Sequence, residues 1–278
     1  MKFVKMHGLG NDYVFVDCIR GAGPADPAAC ARAVSEPHFG IGADGLVLIE
    51  ASARADARMR MFNKDGSEAE MCGNAIRCVG KYLYDTGLCR RETLAIETGA
   101  GVLALQLRVE DGRAVAATVD MGVPEFAPAR IPVQAADNRV QIDAEGRPLG
   151  FFCLSLGNPH AVTVDAFPEG KAFARLGGMV EAHPLFPRRV NAEFCRVESP
   201  TRALVRVWER GSGATLACGT GATAALVALA SQGLLARRAE IVLPGGSLDI
   251  DWRDDGHVYM TGPATVSFTG EWTDRLRG

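Results

Sequence analysis

The chain has 278 residues, 47% hydrophobic and 23% charged, which suits two globular domains of ordinary size. A net charge of −3 gives no basic field, so nucleic acid is not expected as a partner. No stretch approaches the roughly 20 apolar residues that span a bilayer, and the N-terminus lacks a secretion signal. We therefore expect a cytoplasmic protein with no membrane partner.

Short β-type runs dominate the first half of the chain. The predicted strands there are Phe3–Met6, Tyr13–Cys18, Leu46–Glu50, Arg58–Phe62, Gly101–Val109 and Ala114–Met121. The last two flank Asp111-Gly112, which is typical of a tight hairpin turn. The second half repeats the pattern at Ala203–Trp208, Glu240–Leu243, Leu248–Trp252 and His257–Thr261, with a hairpin turn expected at Asp254-Asp255-Gly256.

Two apolar segments are predicted as the main helices. In Asn74–Tyr84 the apolar residues recur at helical spacing, Thr220–Ser231 is rich in Ala and Leu, and a glycine follows each segment closely. Both are apolar enough to be surrounded by sheet. Lesser helices are expected over Pro27–Ser35 and Lys171–Val180, and the proline-rich segment Pro124–Pro132 is interpreted as the connection between two domains.

Two pairs of segments recur at nearly the same separation. Cys72 and Cys218 each follow a Gly-Ser pair and precede Gly and a predicted helix, 146 residues apart (218−72). Leu-Gly-Asn ends at Asn11 and again at Asn158, 147 residues apart (158−11). Leu-Gly-Asn and Cys-Gly could each recur by chance, but a shared offset favours a duplication. The predicted fold class is α+β, with two similar β-rich domains, each wrapped around a helix that begins beside a cysteine.

The position of these cysteines suggests acid–base chemistry. The backbone N–H groups of a helix's first turn lack internal partners and carry partial positive charge, so they bind a carboxylate and favour a thiolate. If the duplicated halves face each other, Cys72 and Cys218 would flank one carbon, and one sulfur would remove a proton that the other replaces. This predicts a racemase or epimerase. Structural thiols, or a redox pair that forms a disulfide, are the alternatives.

Other motifs give no support for a metal or a cofactor. Of the eight cysteines, most of the remaining six are expected to be buried small apolar residues. No Cys-x-x-Cys pair suggests zinc, so no metal ligand is predicted. The loop Gly40–Gly45 matches G-x-G-x-x-G, but a strand-like run follows it where the dinucleotide motif requires a helix. No cofactor-binding residue is predicted.

Eight motifs then appear in the order of a known family. They are His7-Gly8-Leu9-Gly10-Asn11-Asp12, Asn63-Lys64-Asp65-Gly66-Ser67, Met71-Cys72-Gly73-Asn74-Ala75-Ile76-Arg77-Cys78, Gly157-Asn158-Pro159-His160, Arg189-Val190-Asn191-Ala192, Glu209-Arg210-Gly211, Ala217-Cys218-Gly219-Thr220-Gly221 and Leu243-Pro244-Gly245-Gly246. Together they resemble diaminopimelate epimerase over essentially the whole chain. The resemblance implies a homodimeric enzyme, independent of pyridoxal phosphate, that interconverts LL- and meso-2,6-diaminopimelate for lysine and peptidoglycan precursor synthesis.

The resemblance also implies a domain plan. Two pseudo-symmetric, barrel-like domains would form the active site in the cleft between them. Since the family's last strand returns to the first domain, the N-terminal domain is expected to comprise residues 1–119 plus 264–278, and the C-terminal domain residues 120–263.

The resemblance further implies roles for individual residues. Cys72 and Cys218 would be the acid–base thiols, His160 would lie beside them and tune them, and Glu209 would hold the reacting α-ammonium group. Helix-end amides for the reacting carboxylate would come from Gly73, Asn74, Gly219 and Thr220. Further substrate contacts, several at the distal end of the small-molecule substrate, would come from Asn11, Asn63, Asn158, Asn191 and Arg210.

Two positions depart from the family pattern. Gly45 stands where some members have Gln, which removes any side-chain contact with substrate at that place. Phe268 stands where some relatives have a Tyr associated with the dimer contact, so a contact through that hydroxyl is lost here.

Alternative functions stay open on the same scaffold. A proline or hydroxyproline racemase or epimerase shares the two-thiol plan, but its cyclic substrate would leave the polar set Asn63, Asn158, Asn191 and Arg210 without a partner. A dehydratase relative would replace one cysteine with a hydroxyl residue. A non-catalytic amino-acid-binding protein would keep ligand binding when either cysteine is changed to Ala.

Overall fold

A computed structural model describes residues 1–273 of the chain, which divides into two compact units. The first unit comprises Met1–Val119 and Gly262–Gly278, and the second comprises Asp120–Thr261. The fold is of the mixed α+β class, with two pseudo-symmetric β-rich halves, as the sequence predicts.

The first unit contains two helices and several strands, among them the first and the last strand of the described residues. In chain order its elements are β1 (Lys2–Gly8), β2 (Asn11–Asp17), α1 (Pro27–Ser35), β3 (Gly45–Glu50), β4 (Ala57–Asn63), β5 (Glu68–Ala69), α2 (Gly73–Asp85), β6 (Thr93–Thr98), β7 (Gly101–Glu110) and β8 (Arg113–Asp120). The elements of the second unit are β9 (Arg139–Ala144), β10 (Arg147–Ser155), β11 (Pro159–Thr163), α3 (Gly170–Glu181), β12 (Asn191–Ser199), β13 (Arg202–Glu209), β14 (Gly213–Ala214), α4 (Gly219–Ser231), β15 (Arg238–Leu243), β16 (Gly246–Trp252) and β17 (Val258–Pro263). The strand β18 (Thr265–Glu271) returns to the first unit.

The two units repeat one pattern of strand pairing. In the first unit β18, β1 and β2 pair antiparallel, β2 and β3 pair parallel, and β3 and β4 pair antiparallel. In the second unit β9, β10 and β11 pair antiparallel, β11 and β12 pair parallel, and β12 and β13 pair antiparallel. The helices fall at the same points of the two series, so α1 corresponds to α3 and α2 to α4. This repeat explains the common offset found in the sequence.

Each unit buries the helix that follows its cysteine. The predicted apolar stripe of α2, Ile76, Val79 and Leu83, is buried, and α2 contacts strands β1, β2, β6 and β7. The middle of α4 is fully buried from Ala222 to Leu229, and this helix contacts six strands of its own unit. The apolar character of α4 on nearly all sides suits a helix surrounded by strands, whereas α2 is amphipathic and buries its apolar side together with Asn74 and Arg77. The predicted central helices are confirmed.

Most of the predicted elements are present, with bounds that differ by a residue or two. Asp111 and Gly112 both have positive φ, as a two-residue hairpin turn between β7 and β8 requires. A strand, β3, follows the loop Gly40–Gly45, so the rejection of a dinucleotide site is supported by the local structure. The prediction misses β6, β9, β10, β11, β12 and β18, together with the two-residue strands β5 and β14.

Two further expectations need correction. The segment Pro124–Pro132 lies within the second unit, where Ile131 packs into the apolar core and Glu125 pairs with Ser155, so it is not a connection between the units. Of the six cysteines expected to be mostly buried, only Cys78, Cys153 and Cys195 are, and the other three are partly exposed.

Within residues 1–273, no helix combines the length and apolar character needed to cross a membrane. The same residues contain no cluster of three or more His, Cys, Asp or Glu side chains arranged to hold a metal ion.

Candidate active site

In the first unit, Cys72 lies at the N-terminus of α2, next to two asparagines. It is the N-cap residue of the helix, and its backbone is extended. Its Sγ lies 3.4 Å from Oδ1 of Asn11, at the start of β2, and Nδ2 of Asn74 donates to the same oxygen at 3.1 Å. The structure therefore brings together four of the residues predicted for this half: Asn11, Cys72, Gly73 and Asn74.

The orientation of these asparagine amides is fixed from both ends. Arg77, fully buried in α2, has only donors, and its Nη2 donates to Oδ1 of Asn74 at 2.8 Å. At the other end Nδ2 of Asn11 donates to the Asp44 carboxylate at 2.8 Å. Oδ1 of Asn11 must therefore face Cys72, and a hydrogen-bond acceptor there is suited to the S–H of a protonated thiol.

Gly45 and Asn63 pair with each other on β3 and β4. A Cβ atom at Gly45 would lie 2.0 Å from the Phe62 carbonyl oxygen and 3.0 Å from the Tyr13 ring. The backbone here leaves no room for the Gln side chain of some relatives. Asn63 lies apart from the group around Cys72, and its Nδ2 donates to Ser67 Oγ at 3.0 Å.

In the second unit, Cys218 is the N-cap residue of α4 and its sulfur is surrounded by donors. Its Sγ accepts the N–H of Gly221 at 3.4 Å and lies 3.5 Å from the Thr220 hydroxyl. Nδ2 of Asn158 donates to that hydroxyl at 3.3 Å. Cys218, Thr220 and Asn158 thus occupy the places that Cys72, Asn74 and Asn11 hold in the first unit.

A buried pair extends this half of the site. His160, on β11, places Nε2 2.9 Å from Oδ1 of Asn158 and Nδ1 2.7 Å from Oε1 of Glu193, on β12. Both side chains of the pair are fully buried. Burial, with the nearby Arg210 guanidinium, lowers the pKa of His160 to about 3, and burial raises the pKa of Glu193. Both pKa shifts are consistent with a neutral imidazole at His160 and a neutral carboxylic acid at Glu193.

Glu209, Arg210 and Asn191 lie at neighbouring strand ends. Oε1 of Glu209 accepts the Thr215 hydroxyl at 2.6 Å, and the Arg210 side chain is exposed, with Nη1 donating to the Arg188 carbonyl. Asn191 is buried, and its amide connects Pro159 to the backbone N–H of Arg210. The predicted substrate ligand Asn191 thus holds β11 and the end of β13 in place.

The environment of Cys218 disfavours its thiolate. Burial raises the pKa of this thiol well above its usual range, and the charge of Glu209 adds to the effect. The hydrogen bonds from Thr220 and Gly221 act in the opposite direction but are the smaller influence.

Three functional candidates were missed by the sequence reasoning. Arg77 was quoted in a motif without a role, Asp44 was passed over in a glycine-rich loop, and Glu193 lay in a strand that was not predicted. The signal for Glu193 was a single acidic residue in the run Val190–Cys195, which is apolar apart from Asn191 and Glu193.

Comparison with known proteins decides the family. The sequence model of diaminopimelate epimerase matches residues 3–127 and 152–267. The chain belongs to the diaminopimelate epimerase family. It is similar to the diaminopimelate epimerase of Acetivibrio thermocellus, with 51% identity over 98% of both chains, and to that of Methanococcus maripaludis, with 50% identity over 98% of this chain and 99% of the relative. The chain is accordingly an isomerase.

Solved structures of low sequence identity share the fold. A probable proline racemase from Agrobacterium radiobacter superposes with a TM-score of 0.70 at 16% identity, over 99% of this chain and 94% of that one. A hydroxyproline epimerase from Agrobacterium vitis gives a TM-score of 0.70 at 17% identity, over 97% and 91%. At such identity the likeness is one of fold alone.

Proposed function

We propose that this chain interconverts LL- and meso-2,6-diaminopimelate by a two-base mechanism that uses Cys72 and Cys218 and no cofactor. The observation that carries the proposal is the repeated arrangement in the two units. Each has a cysteine at the start of a buried helix and an asparagine from the equivalent strand beside it. The name shared by relatives that are 51% and 50% identical supports the substrate.

The proton balance requires the two sulfurs to work in opposite protonation states. One cysteine, as thiolate, takes the α-proton and becomes a thiol, while the other thiol gives its proton to the opposite face of the α-carbon and becomes a thiolate. The reverse reaction exchanges the roles. Negative charge that develops on the substrate carboxylate would be stabilised by backbone N–H groups of the first turns of α2 and α4, from Gly73 and Asn74 and from Gly219 and Thr220.

The remaining predicted residues would hold the ends of the substrate. Glu209 suits the reacting α-ammonium, and the exposed guanidinium of Arg210 suits the distal carboxylate as a bidentate partner. The amide groups of Asn11, Asn63 and Asn158 would make further hydrogen bonds to the substrate. His160 lies next to Asn158 and tunes Cys218 through it.

Biological context is part of the same proposal. The reaction would supply lysine and peptidoglycan precursors in the cytoplasm, and the enzyme would act as a homodimer. Support for a dimer comes from β18, where Val266 and Phe268 are exposed, Phe268 to 47%. A second copy covering this strand would remove both from water. Light scattering on the purified protein measures the mass that tests the dimer.

The decisive experiment is isotope exchange by the reduced protein, without added cofactor, in D2O. With LL-diaminopimelate, deuterium is expected at one α-carbon of the meso product, because the incoming proton comes from a thiol equilibrated with solvent. Chromatography of the stereoisomers and mass spectrometry measure both outcomes. Parallel incubations with L-proline and trans-4-hydroxy-L-proline test the alternative substrates.

The absence of both epimerisation and proton exchange would contradict the proposal. A folded protein with free Cys72 and Cys218 that forms no meso product and exchanges no α-proton is not this epimerase. Turnover of hydroxyproline in the same protein would transfer the two-thiol mechanism to the alternative substrate.

A further inference from the structure

Glu193 is a buried acid whose position the mechanism above does not use. It lies in the middle of β12, fully buried, with Oε1 2.7 Å from Nδ1 of His160. Among the described residues, Oε2 finds no hydrogen-bond partner of good geometry although it too is buried. The backbone N–H groups of Ala161 and Glu193 interact with the carboxyl group and lower its pKa, but by less than burial raises it. A buried polar side chain in this state is costly, so the fold alone does not explain why the residue is there.

The sister unit shows that the fold does not require this carboxyl group. On the parallel strand pair of the second unit, His160 lies opposite Asn191 and Val162 opposite Glu193. On the equivalent pair of the first unit, Tyr13 lies opposite Gly45 and Phe15 opposite Val47. Glu193 therefore corresponds to Val47, an apolar residue that is fully buried in an ordinary core position.

From Glu193 an unbroken series of hydrogen bonds leads to the sulfur of Cys218. It passes through the imidazole of His160 to Oδ1 of Asn158 at 2.9 Å, from Nδ2 of Asn158 to the Thr220 hydroxyl at 3.3 Å, and from that hydroxyl to Sγ at 3.5 Å. Every group in the series has both a donor and an acceptor. The hydrogen bonds of the series can therefore be donated in either direction, but the direction must be the same at every bond.

The first member decides the direction. If Glu193 is protonated, it donates to Nδ1 of His160, Nε2 donates to Asn158, and the Thr220 hydroxyl ends the series as a donor to Cys218. If Glu193 is ionised and His160 is neutral, Nδ1 donates to Glu193 and Nε2 becomes an acceptor, so the Asn158 amide must turn over to present Nδ2 to it. The Thr220 hydroxyl then donates to Oδ1 of Asn158 and can only accept from Cys218. The unpartnered Oε2 favours the protonated acid, because an unpaired carboxylate oxygen is far more costly in the interior than a carbonyl oxygen. Burial acts the same way on both pKa values, raising that of Glu193 and lowering that of His160.

We propose that Glu193 is a positioning residue for Cys218, which acts by donating a hydrogen bond to His160 and so fixes the Thr220 hydroxyl as a donor to the sulfur. Sγ then receives two donors, from Thr220 and from the Gly221 N–H. A thiolate at Cys218 is stabilised by both. When Cys218 is a thiol, its own hydrogen has no acceptor in these two groups and is left for the substrate carbon. This role rests on the proposed function of Cys218.

The test compares two substitutions of equal size and different chemistry. In a Cys72→Ala background, Glu193→Gln keeps a neutral donor for His160, whereas Glu193→Leu removes it. The rate at which iodoacetamide labels Cys218 is followed from pH 7 to 10 by mass spectrometry of the peptide that contains this residue. Since only the thiolate reacts, the rate reports how well its surroundings stabilise the anion.

We expect Glu193→Gln to give the rate profile of the parent protein, and Glu193→Leu to label about tenfold more slowly at pH 8, as expected for a lost donor to an anion. Thr220→Val, which removes the last donor without touching Glu193, is expected to slow labelling to the same extent. Glu209, Arg210, Cys153 and Cys195 are the other ionisable groups that interact with this pair, and they are unchanged in all variants.

Two outcomes overturn the inference. Equal rates for parent, Gln and Leu variants would mean that Glu193 does not reach Cys218. A Gln variant that labels about tenfold more slowly than the parent would mean that an ionised carboxylate is needed, and this comparison does not depend on whether the Leu variant folds. Because labelling requires no substrate, either result is independent of whether diaminopimelate is turned over. In the otherwise unaltered enzyme, the Leu variant is expected to lower kcat roughly tenfold to a hundredfold with little change in KM, by analogy with carboxylates that orient ligand histidines.

Discussion

Cys72 and Cys218 begin equivalent helices, but their sulfurs have different neighbours. The sulfur of Cys72 lies beside an acceptor, Oδ1 of Asn11, whose orientation is fixed by Arg77 through Asn74 and by Asp44, and it also interacts with the Tyr13 hydroxyl. The sulfur of Cys218 accepts the Gly221 N–H, by which it caps its own helix, and lies beside the Thr220 hydroxyl, which is the proposed second donor. The duplicated fold therefore places a cysteine and an asparagine in the same way in both units. A few residues that differ between the units change which hydrogen-bond donors and acceptors lie beside each sulfur.

The residues that differ between the two half-sites are not the cysteines but buried side chains in the helix and strand next to them. At one equivalent position of the two helices, Arg77 in α2 and Thr223 in α4 both donate to the carbonyl of the glycine that follows the cysteine. Only Arg77 brings a buried cation. At another equivalent position Val47 and Glu193 differ, and only Glu193 brings an acid. An enzyme that must hold one thiol and one thiolate gains from such asymmetry, since two identical half-sites would compete for the same proton.

The largest expected effect comes from removing either of the two cysteines compared above. Cys72→Ala and Cys218→Ala should each lower epimerisation on the order of a thousandfold or more, since each removes an acid–base group. The double variant should be no slower than either single variant, because two groups that act as a unit are not additive. Stereoisomer formation from LL-diaminopimelate measures all three.

Cys89→Ala, at a partly exposed cysteine outside both half-sites, is the matched control and should keep full activity. Substantial turnover by either active-site variant would show that a single thiol suffices and that the two half-sites are not partners in one reaction.

The sequence was sufficient to predict the duplication, because its signals are local. Glycines at turns, apolar spacing in α2 and α4, and the Asp111-Gly112 hairpin each depend on a few neighbouring residues, and each is present in the structure. The strand β12 was missed for the opposite reason. Asn191 and Glu193 interrupt its apolar run, and only partners from β11 and β13 make these polar residues tolerable in the interior.

The polarity of the half-sites could not be predicted for the same physical reason. Whether a sulfur faces a donor or an acceptor depends on how Asn11 and Asn158 turn their amides, and an amide's orientation depends on its partners. Asp44 is 33 residues from Asn11 in sequence. Arg77 and His160 are close in sequence to the amides of Asn74 and Asn158, but each acts on an asparagine or a cysteine that only the fold brings near. The sequence therefore indicates which residues gather but not which way their hydrogen bonds run.

An intermediate effect is expected from removing the buried cation behind Cys72. Arg77→Met leaves Oδ1 of Asn74 and the Gly73 carbonyl without this donor, which should lower the free energy of unfolding by about 1–3 kcal/mol. Because Asn74 then no longer holds Asn11, kcat should fall roughly tenfold. Urea unfolding and steady-state kinetics measure the two effects.

The matched control is Thr223→Val, which removes the corresponding bond to Gly219 in the second unit. We expect it to cost about 1 kcal/mol of stability and to leave kcat close to that of the parent, because the Thr223 hydroxyl donates to the Gly219 carbonyl and not to the asparagine of its half-site. Equal losses of kcat in both variants would mean that helix stability, rather than the orientation of Asn11, is what Arg77 provides.

The smallest expected effect sharpens the contrast at Cys218 itself. Burial raises the pKa of this thiol most, and the negative charge of Glu209 raises it further. Replacing Glu209 with Gln keeps the hydrogen bond to Thr215 possible but removes the charge, so the pKa of Cys218 should fall and its thiolate fraction at a given pH should rise. In the Cys72→Ala background, labelling of Cys218 by iodoacetamide at pH 8 should become roughly three- to tenfold faster.

This direction is opposite to the one expected for Glu193→Leu, although both substitutions remove an acid near the same sulfur. Glu209 acts as a charge, which repels the thiolate, whereas Glu193 acts as a neutral donor, whose effect is transmitted through His160, Asn158 and Thr220. Glu198→Gln, at a surface glutamate of β12 bound to Arg202, should leave the labelling rate unchanged. If Glu209→Gln slows labelling instead, Glu209 supports the thiolate through hydrogen bonding. Both acids would then stabilise the thiolate of Cys218.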